Sequence, residues 1–168
     1  ALEIDVDTRA TERTSISDRA FFRLLGLEGL KFLDVSDYEK ADIIHDLCDP
    51  LPEHLLGVAD VVVDGATLDN VFNPAQALIS LAGMLRPGGR LLLYNVGSDH
   101  TGPYTILTPL WFYDYFVGNG FSRVLVYASV FRRDGGTSRN VFVLEPQDVA
   151  FLTPNITSIY STTLFVLA

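Results

Sequence analysis

Val58 to Asp64 (VADVVVD) and Arg90 to Val96 (RLLLYNV) are two apolar runs rich in strand-forming residues. Between them Asn73-Pro74 opens a segment whose Ala77, Leu78, Leu81, Met84 and Leu85 fall on one helical face. Few folds accommodate this block. Two strands joined through a helix read as a parallel pair with a crossover connection, the βαβ unit of a doubly wound sheet. A continuous β-branched run is the pattern of a strand covered on both faces, so Val58 to Asp64 is expected to be central. Arg86-Pro87-Gly88-Gly89 ends the helix and places basic charge at the negative end of its dipole.

The flanks extend the same pattern. Leu2 to Val6 (LEIDV) reads as a strand and Thr8 to Ser15 as a polar loop. Ser17 is an N-cap, with Ala20, Phe21, Leu24 and Leu25 at helical spacing until Gly26 supplies a stop. Leu30 to Val35 and Ala41 to His45 are short strands, each closed by an acid, Asp34 and Asp46. Only six residues separate Asp34 from Ala41, whereas a parallel crossover normally takes about ten or more. One crossover helix is therefore expected to be shortened or absent, with Ser36 to Lys40 crossing in extended form. Pro50 to Gly57 holds at most two helical turns. Thr108-Pro109 opens an aromatic helix (LWFYDYF) that stops near Gly118-Asn119-Gly120, and its aromatic residues are expected in the core. The last third is β-rich: Ser122 to Phe131, Val141 to Leu144 and Ile159 to Leu167 read as strands, with Arg132 to Arg139 a turn.

The chain has 168 residues, 48% apolar and 20% charged, enough for one globular domain spanning 1–168 with a single core. Twelve Lys and Arg against 21 Asp and Glu give a net charge of −9. That balance argues against nucleic acid or an anionic membrane as partner, and leaves a small molecule or a protein. Oligomeric state is not legible in these residues. Cys48 is the only cysteine, so no intrachain disulfide can form, and a reducing cytoplasm is the expected location. No run approaches the roughly 18 to 20 apolar residues of a membrane-spanning helix, so a soluble protein is expected. The chain opens at Ala1 without a signal-peptide pattern and stops in an apolar run at Ala168, so both ends are expected to be cuts in a longer chain. His45, Asp46, Cys48 and Asp49 match no strong ligand spacing, and no metal site is expected. There is no G-x-G-x-x-G after a strand, no G-x-x-x-x-G-K-[ST] and no G-x-S-x-G, which removes nicotinamide dehydrogenases, P-loop NTPases and serine hydrolases.

The block DGATLDNVFNPAQALISLAGMLRPGGRLLLYN, Asp64 to Asn95, taken with the strand Leu2 to Val6 and the acidic strand end at Asp34, resembles the class I S-adenosylmethionine-dependent methyltransferases. The resemblance covers nearly the whole chain and is strongest from Ala59 to Val96. It implies a three-layer Rossmann-like α/β fold, mostly parallel, with an antiparallel C-terminal strand inserted into the sheet. Ligands of open α/β sheets bind outside the carboxyl ends of the strands, where strand order reverses. By resemblance, Glu3, Asp5 and Asp7 lie beside the methionine portion of S-adenosylmethionine and Asp34 takes the ribose hydroxyls. Asp46 and Leu47 border the adenine, and Asp64 and Gly65 lie beside the sulfonium; the extended crossing of Ser36 to Lys40 would let Tyr38 cover the adenine site. A carboxylate suits such positions because it accepts two hydroxyl hydrogens and favours a cationic cofactor.

The chain departs from the family in its first loop. There the family reads roughly L-E-I-G-x-G-x-G, because glycine lets the backbone turn tightly against the cofactor. Here Asp5, Asp7 and Arg9 stand in place of the three glycines. Either the loop follows another path, or the domain has lost the cofactor and serves as a non-catalytic module that binds a partner or regulates a larger protein. Asn70 falls where many relatives carry a His in an L-E-H-V segment; it either orients a substrate or caps the following turn. Asn95, His100 and Tyr104 lie on the methyl-acceptor side. His100 is either a proton acceptor or a solvated loop histidine, and Tyr104 is the other catalytic candidate.

Overall fold

The structure is a computed structural model that describes residues 17–37, 40–98, 103–132, 139–145 and 160–168. The chain divides into two compact units, Ala1–Asp46 and Leu47–Ala168.

In the first unit, helix α1 (Asp18–Leu24) begins where the sequence places it. The Ser17 hydroxyl accepts a hydrogen bond from the Ala20 N–H at 3.1 Å, and Gly26, at φ +77°, follows the last turn. Strands β1 (Leu33–Asp34) and β2 (Ile43–Ile44) form a parallel pair, shorter than the runs that predict them. The connection contains no helix among the described residues, as its length requires. Asp42 braces this unit. Its carboxylate accepts from the Phe32 N–H at 2.9 Å and from Arg19 at 2.8 Å. Those two bonds, the backbone one first, hold its pKa below the usual carboxylate range.

The second unit is built on five strands: β3 (Ala59–Gly65), β4 (Leu85–Ser98), β5 (Leu125–Arg132), β6 (Arg139–Leu144) and β7 (Tyr160–Leu167). Their order is β3-β4-β7-β5-β6. β3 and β4 pair in parallel, and every other pairing is antiparallel. The architecture is thus mixed α/β, and the C-terminal strand is reversed as expected. The expectation of a mostly parallel sheet is corrected: β3, β4 and β5 do run in one direction, but β7 wedges between β4 and β5 and keeps them from pairing. β6 follows β5 after a connection too short for a parallel crossover, so it returns antiparallel.

Helices α2 (Pro74–Gly83) and α3 (Pro109–Gly118) start at Asn73 and Thr108, whose side-chain oxygens accept the N–H of Gln76 and Trp111. Their buried residues, Ala77, Leu78 and Leu81 of α2 with Phe112 and Phe116 of α3, join the sheet residues Val62, Leu91, Leu93, Leu164 and Val126 in the core. On the other face of the sheet Val61, Val63, Leu92 and Tyr94 are exposed. β3 is therefore buried on alternate residues only, and among the described residues β4 is its sole partner. The expectation of a central strand covered on both sides does not hold for the described sheet. The strand Leu2 to Val6 lies outside the described residues.

The Arg86 to Gly89 turn is a bulge at the start of β4. Ala59 pairs with Leu85 but Val61 pairs with Arg90, so β4 carries extra residues opposite Asp60. Gly88 sits at φ +81°, and a Cβ on Gly89 would lie 2.9 Å from the Arg86 carbonyl and 3.2 Å from that of Asp60. Both contacts are to backbone and cannot relax cheaply. Gly89→Ala is expected to destabilise the chain by about 2 kcal/mol, the usual range for forced overpacking. An unchanged thermal midpoint would contradict this reading of the turn.

Candidate functional site

The carboxyl ends of β3 and β4 gather a cluster of polar side chains beneath one loop. Asp64, near the end of β3, is 2% exposed. One carboxylate oxygen accepts the Thr67 N–H at 2.9 Å and the other accepts the Asn95 side-chain amide at 3.3 Å. Asn95 lies on the adjacent strand β4, is fully buried, and its Oδ1 has no hydrogen-bond partner among the described residues. The backbone then turns sharply: Ala66 adopts φ +71°, a left-handed conformation that costs a residue with a Cβ roughly 1–2 kcal/mol. Its N–H donates to the Tyr94 carbonyl at 2.8 Å, which ties the loop to β4. Gly65 is exposed, and a Cβ there would meet nothing within 4 Å.

Asp69 is the second acid of the cluster and is fully buried. Its Oδ2 accepts the Val96 N–H at 2.8 Å and its Oδ1 accepts the Asn70 amide at 3.0 Å. Its carbonyl accepts the N–H groups of Tyr104 at 2.8 Å and Thr105 at 3.1 Å. One residue thus holds together the loop after β3, the end of β4 and the segment leading to α3. Phe72, almost fully exposed, stacks on Tyr104 with ring centroids 4.9 Å apart and planes 18° apart.

Burial pushes the pKa of both Asp64 and Asp69 up from 3.8; the hydrogen bonds from Thr67 and Asn95 to one, and from Val96 and Asn70 to the other, pull in the opposite direction and do not cancel it. Between 3.8 and the raised pKa, the folded chain keeps a proton that the unfolded chain has lost. The stability contributed by each group is therefore greatest below 3.8 and is lost as pH rises through the folded pKa. Asp64→Asn preserves the shape and the acceptor for Thr67 and removes the buried charge; its amide takes the place of the oxygen that accepts from Asn95, so the Asn95 side chain must turn over and present its Oδ1 to the new donor. The substitution is expected to stabilise the chain at neutral pH by about 1 kcal/mol. In urea unfolding the gain over wild type should shrink as pH falls towards 3.8. A variant less stable than wild type at neutral pH would contradict this account.

Of the residues singled out in the sequence, Asp64, Gly65, Asn70, Asn95 and Tyr104 come together here. Asn70 staples the loop, donating to the Ala66 carbonyl at 2.8 Å as well as to Asp69. The following helix is capped by Asn73. Leu47 is a core residue, and its carbonyl accepts the Ser80 hydroxyl at 3.4 Å. In the first unit Asp34 is half-buried and its Oδ1 accepts both the N–H and the hydroxyl of Ser36, at 2.7 and 3.0 Å, an Asx-type turn. Asp46 is exposed. Glu3, Asp5, Asp7, Arg9, Tyr38 and His100 lie outside the described residues. Sequence reasoning missed Asp69 and Phe72. The only local signal was the neighbourhood of Asn70 in Leu68-Asp69-Asn70-Val71.

No protein-family model matches the chain, and no curated protein does. Among solved structures it is similar to the crystal structure of the PH0226 protein from Pyrococcus horikoshii OT3, at 13% sequence identity, over 87% of this chain and 77% of that one, with a TM-score of 0.32. A likeness of that degree carries no argument about function. Among the described residues no helix is long and apolar enough to cross a membrane.

Proposed function

We propose that the chain is a class I methyltransferase-like protein that binds S-adenosylmethionine and directs methyl transfer to a small-molecule acceptor. One observation carries this reading: the reversed C-terminal strand β7 lies between β4 and β5, two strands of like direction, in the order that the resemblance implies. The residues at the strand ends fit the cofactor. Gly65 leaves open space above an exposed backbone, beside a strained left-handed turn of the kind that collects at functional sites. When bound, the cofactor supplies a methyl group on a sulfonium. For Asp34, which belongs to the first unit, it is the resemblance alone that implies contact with the ribose hydroxyls. Asp64, sequestered by Thr67 and Asn95, shapes the loop and presents the Gly65 and Ala66 backbone. The Asp69 latch and the Phe72–Tyr104 pair form the acceptor side, and catalysis is by positioning.

A second reading, a degenerate domain that binds a partner without chemistry, is favoured by Asp5, Asp7 and Arg9 where the family has glycines. Calorimetric titration with S-adenosylmethionine separates the two. The enzyme reading expects saturable heat. No heat at roughly millimolar ligand in a folded sample, an affinity too weak to serve a cofactor, overturns it in favour of the binding module.

A further inference from the structure

Phe72 is the most exposed large apolar side chain among the described residues, at 88%. It lies in the loop between β3 and α2, every residue of which is described. Among the described residues its ring meets one aromatic partner, Tyr104, itself 64% exposed, with centroids 4.9 Å apart and planes 18° apart. A stacked pair engages one face of each ring, which leaves the opposite face of Phe72 to solvent. The backbone beneath both rings is anchored. Asn70 donates to the Ala66 carbonyl at 2.8 Å just before Phe72, and Asn73 caps α2 directly after it. The Tyr104 N–H donates to the Asp69 carbonyl of the same loop at 2.8 Å. A ligand that stacks there therefore orders little further chain. Phe72 follows Asn70 by two residues, at most about 7 Å of chain, which keeps the rings near the Gly65 to Thr67 backbone.

Charge narrows the ligand class. The segments that carry the site hold no Lys or Arg between Lys40 and Arg86, nor between Arg90 and Arg123, whereas Asp60, Asp64 and Asp69 all lie in the first of them. A phosphate or carboxylate finds no guanidinium or ammonium there to pair with. The face of an aromatic ring is itself electron-rich and attracts cations.

We propose that the outer face of Phe72, backed by Tyr104, stacks a flat aromatic ring that is neutral or cationic, and that this ring belongs to the methyl acceptor. The second clause rests on the methyltransferase reading; the stacking site does not. The test is an NMR titration of the whole chain with quinoline and N-methylquinolinium, against quinoline-2-carboxylate as the anionic ring and decahydroquinoline as the saturated cation. Saturable shifts of the Phe72 and Tyr104 ring protons are expected with the first two, and markedly weaker binding with the others. Phe72→Tyr keeps the ring and should bind as the wild type does. Phe72→Leu should bind roughly 2- to 12-fold more weakly, the factor that about 0.5–1.5 kcal/mol of ring stacking gives. Circular dichroism confirms that both variants are folded. S-adenosylhomocysteine added to the same sample and followed at the Gly65 to Thr67 amides tests the methyltransferase reading separately. Probes that stack while those amides stay still uphold the stacking site and overturn its assignment to an acceptor. Phe72 ring protons that do not move at the solubility limit of the probes overturn the proposal. So does a carboxylate or saturated analogue that binds as tightly as N-methylquinolinium, and so do Phe72 shifts that follow protein concentration instead of probe, the mark of a protein interface.

Discussion

Asp69→Ala is expected to destabilise the chain by about 3 kcal/mol, the largest effect among the polar residues of the site. The carboxylate is fully buried and accepts the Val96 N–H at 2.8 Å and the Asn70 amide at 3.0 Å. Truncation leaves the Val96 N–H without its acceptor at the end of β4 and opens a small void beneath the loop. An unsatisfied buried donor costs roughly 1–3 kcal/mol and the void adds to it. Against this, removing a desolvated charge returns part of the loss, because burial already raises the Asp69 pKa. Asp69→Asn keeps an acceptor for Val96 and sheds the charge, so its loss should be about 1 kcal/mol or less. Urea midpoints at constant slope measure both. If alanine and asparagine destabilise equally, the hydrogen bond to Val96 is not what the carboxylate contributes.

Asp34→Ala is expected to weaken S-adenosylmethionine binding roughly 10- to 150-fold. Hydrogen bonds to a charged group contribute about 1.5–3 kcal/mol, and each 1.4 kcal/mol is a factor of ten in affinity. Melting should change little, since Asp34 is half-buried at the end of a two-residue strand. Its local role is the Ser36 turn, and Asp34→Asn tests that separately by retaining the turn acceptor while removing the charge. Both variants should lose affinity if the carboxylate takes the ribose hydroxyls. Unchanged affinity in both would remove Asp34 from the site.

The parts of the fold legible in the sequence are those decided by neighbours along the chain. Ser17, Asn73 and Thr108 each cap a helix because a side-chain oxygen reaches an N–H three residues on, a matter of local spacing. The reversed C-terminal strand was legible through the resemblance. The exposure of Val61 and Val63 was not, because a β-branched run looks the same whether one face or both are covered. The Arg86 to Gly89 segment read as the basic end of the helix, but α2 stops at Gly83 and Leu85 already pairs with Ala59; that the segment is a bulge depends on the Asp60 carbonyl opposite Gly89, on another strand. Asp69 escaped for the same reason. Its role is set by Val96, 27 positions away, and an acid between Leu68 and Asn70 carries no mark of that partner.

Backbone amide NMR of the chain titrated with S-adenosylhomocysteine tests the central claim most directly, since it reports both binding and place. Saturable shifts at Gly65, Ala66 and Thr67 are the predicted result. A folded chain whose loop amides stay still at saturating ligand, or whose shifts fall only on residues remote from the end of β3, would contradict the assignment of this loop to the cofactor.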